Sequence, residues 1–249
     1  SSWPAAGTGA TEAPTPTGAT EEKWVAKLKE SSDWSTYVSE PITAGDYLFI
    51  VAGNTLYQRD AKTGDVVKSA KLVSAISSVS RMAYAGGLVL VPLGDGRVQA
   101  LTADTLTTVW VSEKLPDGEG GAQQCQGNLT VSAGKVYFQT SAGWSGPGGY
   151  SVCLDLATGR TIWKQQAVGT KANYYWTGMG VSGDYGFVGN MDGTVETVDL
   201  ATGKSVSSLN LGASVRSGVT VAPGGKVSYV VSYDGYLHKL GVGPAGVLT

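Results

Sequence analysis

The side chains that could do chemistry in this 249-residue chain are few and widely separated. His238 is the only histidine, and Cys125 and Cys153 are the only cysteines. A Ser-His-Asp triad would have to be built on His238, inside an apolar strand-like run, and the chain has no Gly-x-Ser-x-Gly elbow. Zinc lacks ligands, because His238 lies far from either cysteine. Glycoside hydrolysis needs two carboxyl groups at a set separation. The acids expected near one mouth of the fold derived below are Asp33, Glu40, Asp117, Glu119 and Asp184. Several Asp-Gly pairs suggest calcium, yet each offers one carboxylate where calcium takes about 6–8 oxygen ligands. The expectation is therefore no catalytic residue, no metal site and no cofactor.

What remains suits binding rather than bond breaking. Trp34, Tyr37, Arg81, Gln123, Gln124, Trp144, Tyr174, Tyr175, Trp176 and Arg216 combine flat apolar rings with amide and guanidinium donors. Polar groups beside exposed aromatics fit a saccharide or a peptide. Tyr174, Tyr175 and Trp176 are consecutive, and neighbouring side chains of a strand point to opposite faces. At least one of them is therefore expected at a surface. The alternative is that these rings wedge between sheets.

The elements that position these residues form a weak repeat. Tight turns with central glycines Gly45, Gly86, Gly134, Gly183 and Gly225 are spaced by 41, 48, 49 and 42 residues. Each leads into an apolar strand, then a hairpin such as Asp95-Gly96, Asp192-Gly193 or Asp234-Gly235. Asp-Gly tolerates the positive φ of two-residue hairpin turns. Asp60–Gly64, Asp155–Gly159 and Asp199–Gly203 then turn the chain into a fourth strand. A period of 40–50 residues with about four strands per unit is a β-propeller signature. The fold class is all-β, a propeller of five four-stranded blades over residues 22–249. The fifth copy is short. Trp24–Leu28 resembles the outer strands at Trp110 and Trp163 and is expected to close the last blade. The alternative is that Val247–Thr249 is that strand and Trp24 packs elsewhere. Inter-blade loops gather on one face around the channel, and they carry the aromatic and polar set named above.

Composition narrows the class further. The 36 glycines serve the many turns, and the formal charge of −2 gives no basic footprint for nucleic acid. No apolar run approaches the ~20 residues of a membrane-spanning helix. Residues 1–21 are rich in Ala, Thr, Pro and Gly and read as a linker or stalk. That fits the start of a mature exported protein at the cell surface or in the periplasm, with a lipid anchor as one option. Two cysteines in an exported protein favour a bridge between Cys125 and Cys153; the alternative is two buried thiols.

The sequence Ala133-Gly134-Lys135-Val136-Tyr137, Leu154-Asp155-Leu156-Ala157-Thr158-Gly159 and Ile162-Trp163 resembles the pyrroloquinoline-quinone-like propeller repeat. Val198–Gly203 is a weaker copy. The resemblance covers residues 24–249. The family includes quinone-dependent alcohol dehydrogenases and the propeller lipoprotein of the outer-membrane barrel-assembly machinery. Its members commonly have eight blades, so five is a departure. The resemblance implies that Trp110 and Trp163 pack between blades. The dehydrogenases' adjacent-cysteine disulfide and metal ligands have no counterpart here, so it implies a non-catalytic binding or assembly scaffold. The expected partner is a protein or a saccharide, with a carbohydrate-active hydrolase or lectin as the alternative.

Overall fold

A computed structural model describes Gly18 and residues 21–143 and 146–249. The described residues carry five successive antiparallel sheets, in order along the chain. Blade 1 is β1 (Ile42–Ala44), β2 (Tyr47–Ala52), β3 (Thr55–Asp60) and β4 (Val66–Lys71). Blade 2 is β5 (Ala83–Ala85), β6 (Leu88–Pro92), β7 (Val98–Thr102) and β8 (Thr108–Val111). A short ribbon, β9 (Gln123–Gln124) with β12 (Ser141–Ala142), leans on blade 3. Blade 3 itself is β10 (Thr130–Ser132), β11 (Lys135–Gln139), β13 (Tyr150–Asp155) and β14 (Thr161–Gln166). Blade 4 is β15 (Gly180–Ser182), β16 (Tyr185–Gly189), β17 (Thr194–Asp199) and β18 (Ser205–Asn210). Blade 5 is β19 (Thr220–Val221), β20 (Val227–Val231) and β21 (Leu237–Gly241). The repeat-derived turns thus fall between strands, and the all-β expectation holds.

Each sheet has a face toward the preceding blade and one toward the next, and strand alternation sorts side chains between them. Phe49 and Val51 of blade 1 pack with Val89, Val91 and Leu101 of blade 2. Leu90, Val98 and Ala100 then meet Val136, Phe138, Val152 and Leu154 of blade 3. Tyr137 and Cys153 meet Val188 and Val198 of blade 4. Phe187 and Val195 meet Val230 and Leu240 of blade 5. The core is a row of inter-blade layers rather than one central mass.

The outer strands add a latch. Trp163 lies over the left-handed Gly203 (φ 75), where an added Cβ would sit 2.5 Å from the indole, and its Nε1 donates to Leu200 O at 2.9 Å. Trp110 covers Gly159 in the same way, donating to Leu156 O at 2.9 Å. Only glycine combines that φ with room for the ring. The two tryptophans therefore join blades, as the repeat implies.

The expected closure of blade 5 by Trp24–Leu28 is not formed. The turn Pro244–Gly246 brings Val247–Thr249 back onto β21, and Gly241 and Thr249 exchange backbone hydrogen bonds at 2.8 and 3.1 Å. A hairpin partner a few residues away costs less chain entropy than one from the other end of the chain. Trp24 instead covers Gly64 of blade 1, with Nε1 donating to Ala61 O at 3.2 Å. This is the latch geometry of Trp110 and Trp163. Trp24, Ala26 and Leu28 are half-buried while Val25 and Lys27 are exposed, a strand-like alternation without a sheet partner among the described residues. The linker expected over 1–21 lies outside the described residues except for Gly18 and Glu21.

Candidate functional site

Loops between blades and the hairpins of the second and third strands meet at one face. Tyr37, 44 % exposed, lines a shallow recess of about 340 Å³ with Ser74–Ser78, Gly94, Gln124 and Gln126. Beside it lies an aromatic–guanidinium stack. Tyr175 and Trp176 stack with centroids 4.6 Å apart, and Arg216 lies 5.7 Å from the Tyr175 ring and 4.2 Å from the Tyr233 ring. A guanidinium against two aromatic faces is a cation–π arrangement that fixes the charge. Burial pushes the Tyr175 hydroxyl pKa up; Arg216 pulls it back and Tyr37 pushes it up again, which ties the recess to the stack.

Trp176 carries two costs. Its φ is 60°, left-handed backbone that a bulky residue rarely adopts, and its indole N–H is buried without a hydrogen-bond partner among the described residues. Strain of this kind clusters at functional sites. Its ring is half-buried, while Tyr174 and Tyr175 are buried. Tyr174 turns inward and donates to Glu196 Oε2 at 3.1 Å. Burial raises the Glu196 pKa, the Tyr174 bond opposing it.

The remaining candidates separate. Trp34 is 85 % exposed. Arg81 pairs with Glu40 at 3.2 Å, joining blades 1 and 2. Gln123 is structural: it is buried and its Nε2 donates to Pro116 O and Gly148 O, while its Oε1 accepts from Thr140. Trp144 lies outside the described residues. Asp33 caps its own turn, and hydrogen bonds from Thr36 and Ser35 hold its carboxyl far below the usual range. Asp184 sits in the tight turn before β16, beside Leu200, away from the Tyr37 recess. Among the described residues no group of three or more His, Cys, Asp or Glu could hold a metal ion.

The disulfide is a further correction. Cys125 and Cys153 are free and fully buried. Cys125 belongs to the layer between blades 2 and 3, and Cys153 to the layer between blades 3 and 4. Blade 3 stands between the layers. Burial pushes the two thiols up to about 12 and about 11, so neither is a reactive thiolate at neutral pH.

Tyr233 and Gln126 were missed from sequence. Tyr233 sits next to the Asp234-Gly235 turn, and that hairpin opens on the same face as the inter-blade loops. The turn signal could have located it.

Comparison with known proteins agrees with the architecture. A quinohemoprotein alcohol dehydrogenase from Comamonas testosteroni superposes with TM-score 0.68 at 17% identity, over 82% of this chain and 41% of its own. A second, from Pseudomonas putida HK5, gives 0.64 at 16% identity, over 84% and 44%. The chain thus spans less than half the length of either, and at these identities the likeness is one of fold. BamB from Moraxella catarrhalis aligns with TM-score 0.47 at 20% identity, over 80% of this chain and 70% of its own. No curated protein sequence matches the chain. The family model described as outer membrane protein assembly factor BamB matches residues 14–176, more than half the sequence. On that match, joined to the repeat and the blade layers, the chain belongs to the BamB family of propeller proteins.

Proposed function

We propose that this protein is a non-catalytic propeller scaffold of the cell envelope that holds a protein partner at the face carrying Tyr37, Tyr175, Trp176, Arg216 and Tyr233. The observation that carries this reading is the strained, unpaired Trp176 stacked on Tyr175 beside a guanidinium fixed between two rings. Tyr, Trp and Arg dominate the hot spots of protein interfaces, and the rim beside them is polar. The family's description as an assembly factor supports a protein over a sugar. The mouth acids support hydrolysis poorly, since Glu40 is engaged by Arg81 and Asp33 by its own turn.

Tagged wild type, Tyr37→Ala and Trp176→Ala are used to capture partners from envelope extract, with Lys62→Ala as control. One specific protein should be retained by wild type and Lys62→Ala and lost by the other two. Loss of ~1–3 kcal/mol per anchor corresponds to roughly 5–150-fold weaker binding. Equal capture by all four, or glycan binding abolished by Trp176→Ala, overturns the reading.

A further inference from the structure

One register position on the third strands, directed at the preceding blade, changes its chemistry from blade to blade. Tyr57, Gln99, Val152, Glu196 and His238 hold it. In blade 2 the residue is a clamp. Gln99 is buried, its Oε1 accepts from the Val73 N–H of the loop arriving from blade 1 at 2.9 Å, and its Nε2 donates to Thr108 Oγ1 at 2.8 Å. In blade 4 Glu196 takes that part for the loop arriving from blade 3, accepting from the Tyr174 hydroxyl at 3.1 Å. Tyr175 and Trp176 follow in the same loop. Asn173 anchors it beside them: its N–H donates to Asn190 Oδ1 at 2.9 Å, and its carbonyl accepts from the Met191 N–H at 3.0 Å. The two clamps differ in one respect. An amide does not ionise near neutral pH, and a carboxyl group does.

No cation balances Glu196. Its strand neighbours on β16 and β18 are Val188 and Ser208. Its own hairpin presents Asn190 and a second acid, Asp192, and the loop over it presents the Tyr174 hydroxyl. Across the layer blade 3 presents Tyr137 and Cys153, whose hydroxyl and thiol burial keeps neutral; the Lys135 charge acts on Cys153. None of the ion pairs among the described residues includes Glu196. Burial, helped by Asp192, raises its pKa, and the Tyr174 and Asn190 side chains do not outweigh them.

We infer that Glu196 is an acid-dependent clamp: protonated, it holds the loop between blades 3 and 4 closed over itself, and ionised, it favours an open loop that lets water reach the carboxylate. One consequence rests on reading Tyr175 and Trp176 as a partner's face: acid orders these rings in advance, and an ordered face loses less entropy on binding. The sign follows from linkage. The closed loop binds the proton more tightly than the open one, in which Glu196 titrates near the ordinary glutamate value. Opening is therefore independent of pH below about 4.3, becomes easier as pH rises above it, and levels off above the pKa of the closed form.

Hydrogen exchange of the free protein tests the clamp. Corrected for intrinsic rates, protection of the Asn173 and Met191 amides should fall as pH rises, while that of Val73, under the Gln99 clamp, should not. Glu196→Gln, which copies blade 2, should abolish the fall. Asp192→Asn, at an exposed position, should diminish it and carries the test if Glu196→Gln does not fold. Asn173 protection independent of pH in wild type, a fall that persists in Glu196→Gln, or a fall in Asp192→Asn identical to that of wild type overturns the clamp. Capture from envelope extract tests the consequence. Wild type should retain its partner better at mildly acidic than at neutral pH, and Glu196→Gln equally at both. Equal retention by wild type overturns the regulation. No partner at either pH refutes the reading of the face, and exchange alone then decides the clamp.

Discussion

Blades 4 and 5 are built on the same strand plan, yet their sides toward the next blade differ in every respect that burial controls. In blade 4 that side holds Phe187 and Val195, both fully buried against blade 5. In blade 5 the matching side holds Tyr229 and Val231, which stand substantially exposed. The residues are similarly apolar; what differs is whether a neighbour stands there among the described residues. A propeller blade is a sheet with two apolar sides, and its stability depends on what stands on each of them.

That contrast can be broken by substitution. The largest effect is expected at Phe187→Ala, about 3–5 kcal/mol by denaturant unfolding, because a cavity opens in a closed layer. Tyr229→Ala, measured in dilute solution, should cost about 1 kcal/mol or less. Equal losses would mean that the blade 5 face is covered in solution even at low concentration.

The latches give the next contrast. Trp163→Ala should cost about 3–4 kcal/mol, since it empties the space over Gly203 and leaves Leu200 O without its donor. Trp24→Ala should cost about half of that, because its ring is only half-buried. Gly203→Ala and Gly235→Ala both meet ~1–2 kcal/mol of left-handed backbone strain. Gly203→Ala should be clearly the worse, because its Cβ also meets the Trp163 ring whereas Gly235 faces open space. Similar melting temperatures for the two variants would remove the latch.

The smallest effect concerns pH. Glu196 of blade 4 has a raised pKa, so the folded state holds its proton more tightly than the unfolded chain does. The cost of ionising it is therefore full above the folded pKa and vanishes below the unfolded one, near the ordinary glutamate value. Glu196→Gln should be the more stable form at neutral pH. Its advantage should shrink as pH falls toward about 4. An advantage independent of pH would show that burial does not raise the Glu196 pKa.

Turn chemistry made the fold legible in sequence. Asp155 accepts from the Thr158 N–H and hydroxyl, Asp199 does the same with Thr202, and each motif places a glycine under a tryptophan. Local chemistry of this kind survives translation from sequence to structure. What did not survive was pairing between distant segments. Trp24–Leu28 has the pattern of an outer strand, but pattern does not name the edge it joins, and a nearer competitor took the place on blade 5. A bridge between Cys125 and Cys153 was favoured by their number alone, and the count of cysteines does not say which inter-blade layer each one enters. Of the residues singled out by aromatic composition, Tyr175 and Trp176 stack on one another and Tyr37 lines the recess. The role of Gln123 was hidden because a buried amide and a ligand-binding amide look alike in sequence.

The latch series also has two gaps. Lys68, Trp110, Trp163 and Ser207 share one register position on the outer strands. Tryptophan thus ties blade 2 to 3 and blade 3 to 4. At the last junction Ser207 stands instead, and Thr197 Oγ1 donates to Gly246 O at 2.6 Å. Amide exchange should record this as a gradient. Blades 2–4 would open together as one slow unit, while β20 and β21, across a junction without a tryptophan latch, exchange earlier. A protease would find an early site beside the same junction, so the contact that is least tied down is also the one that limits how long the layers stay closed.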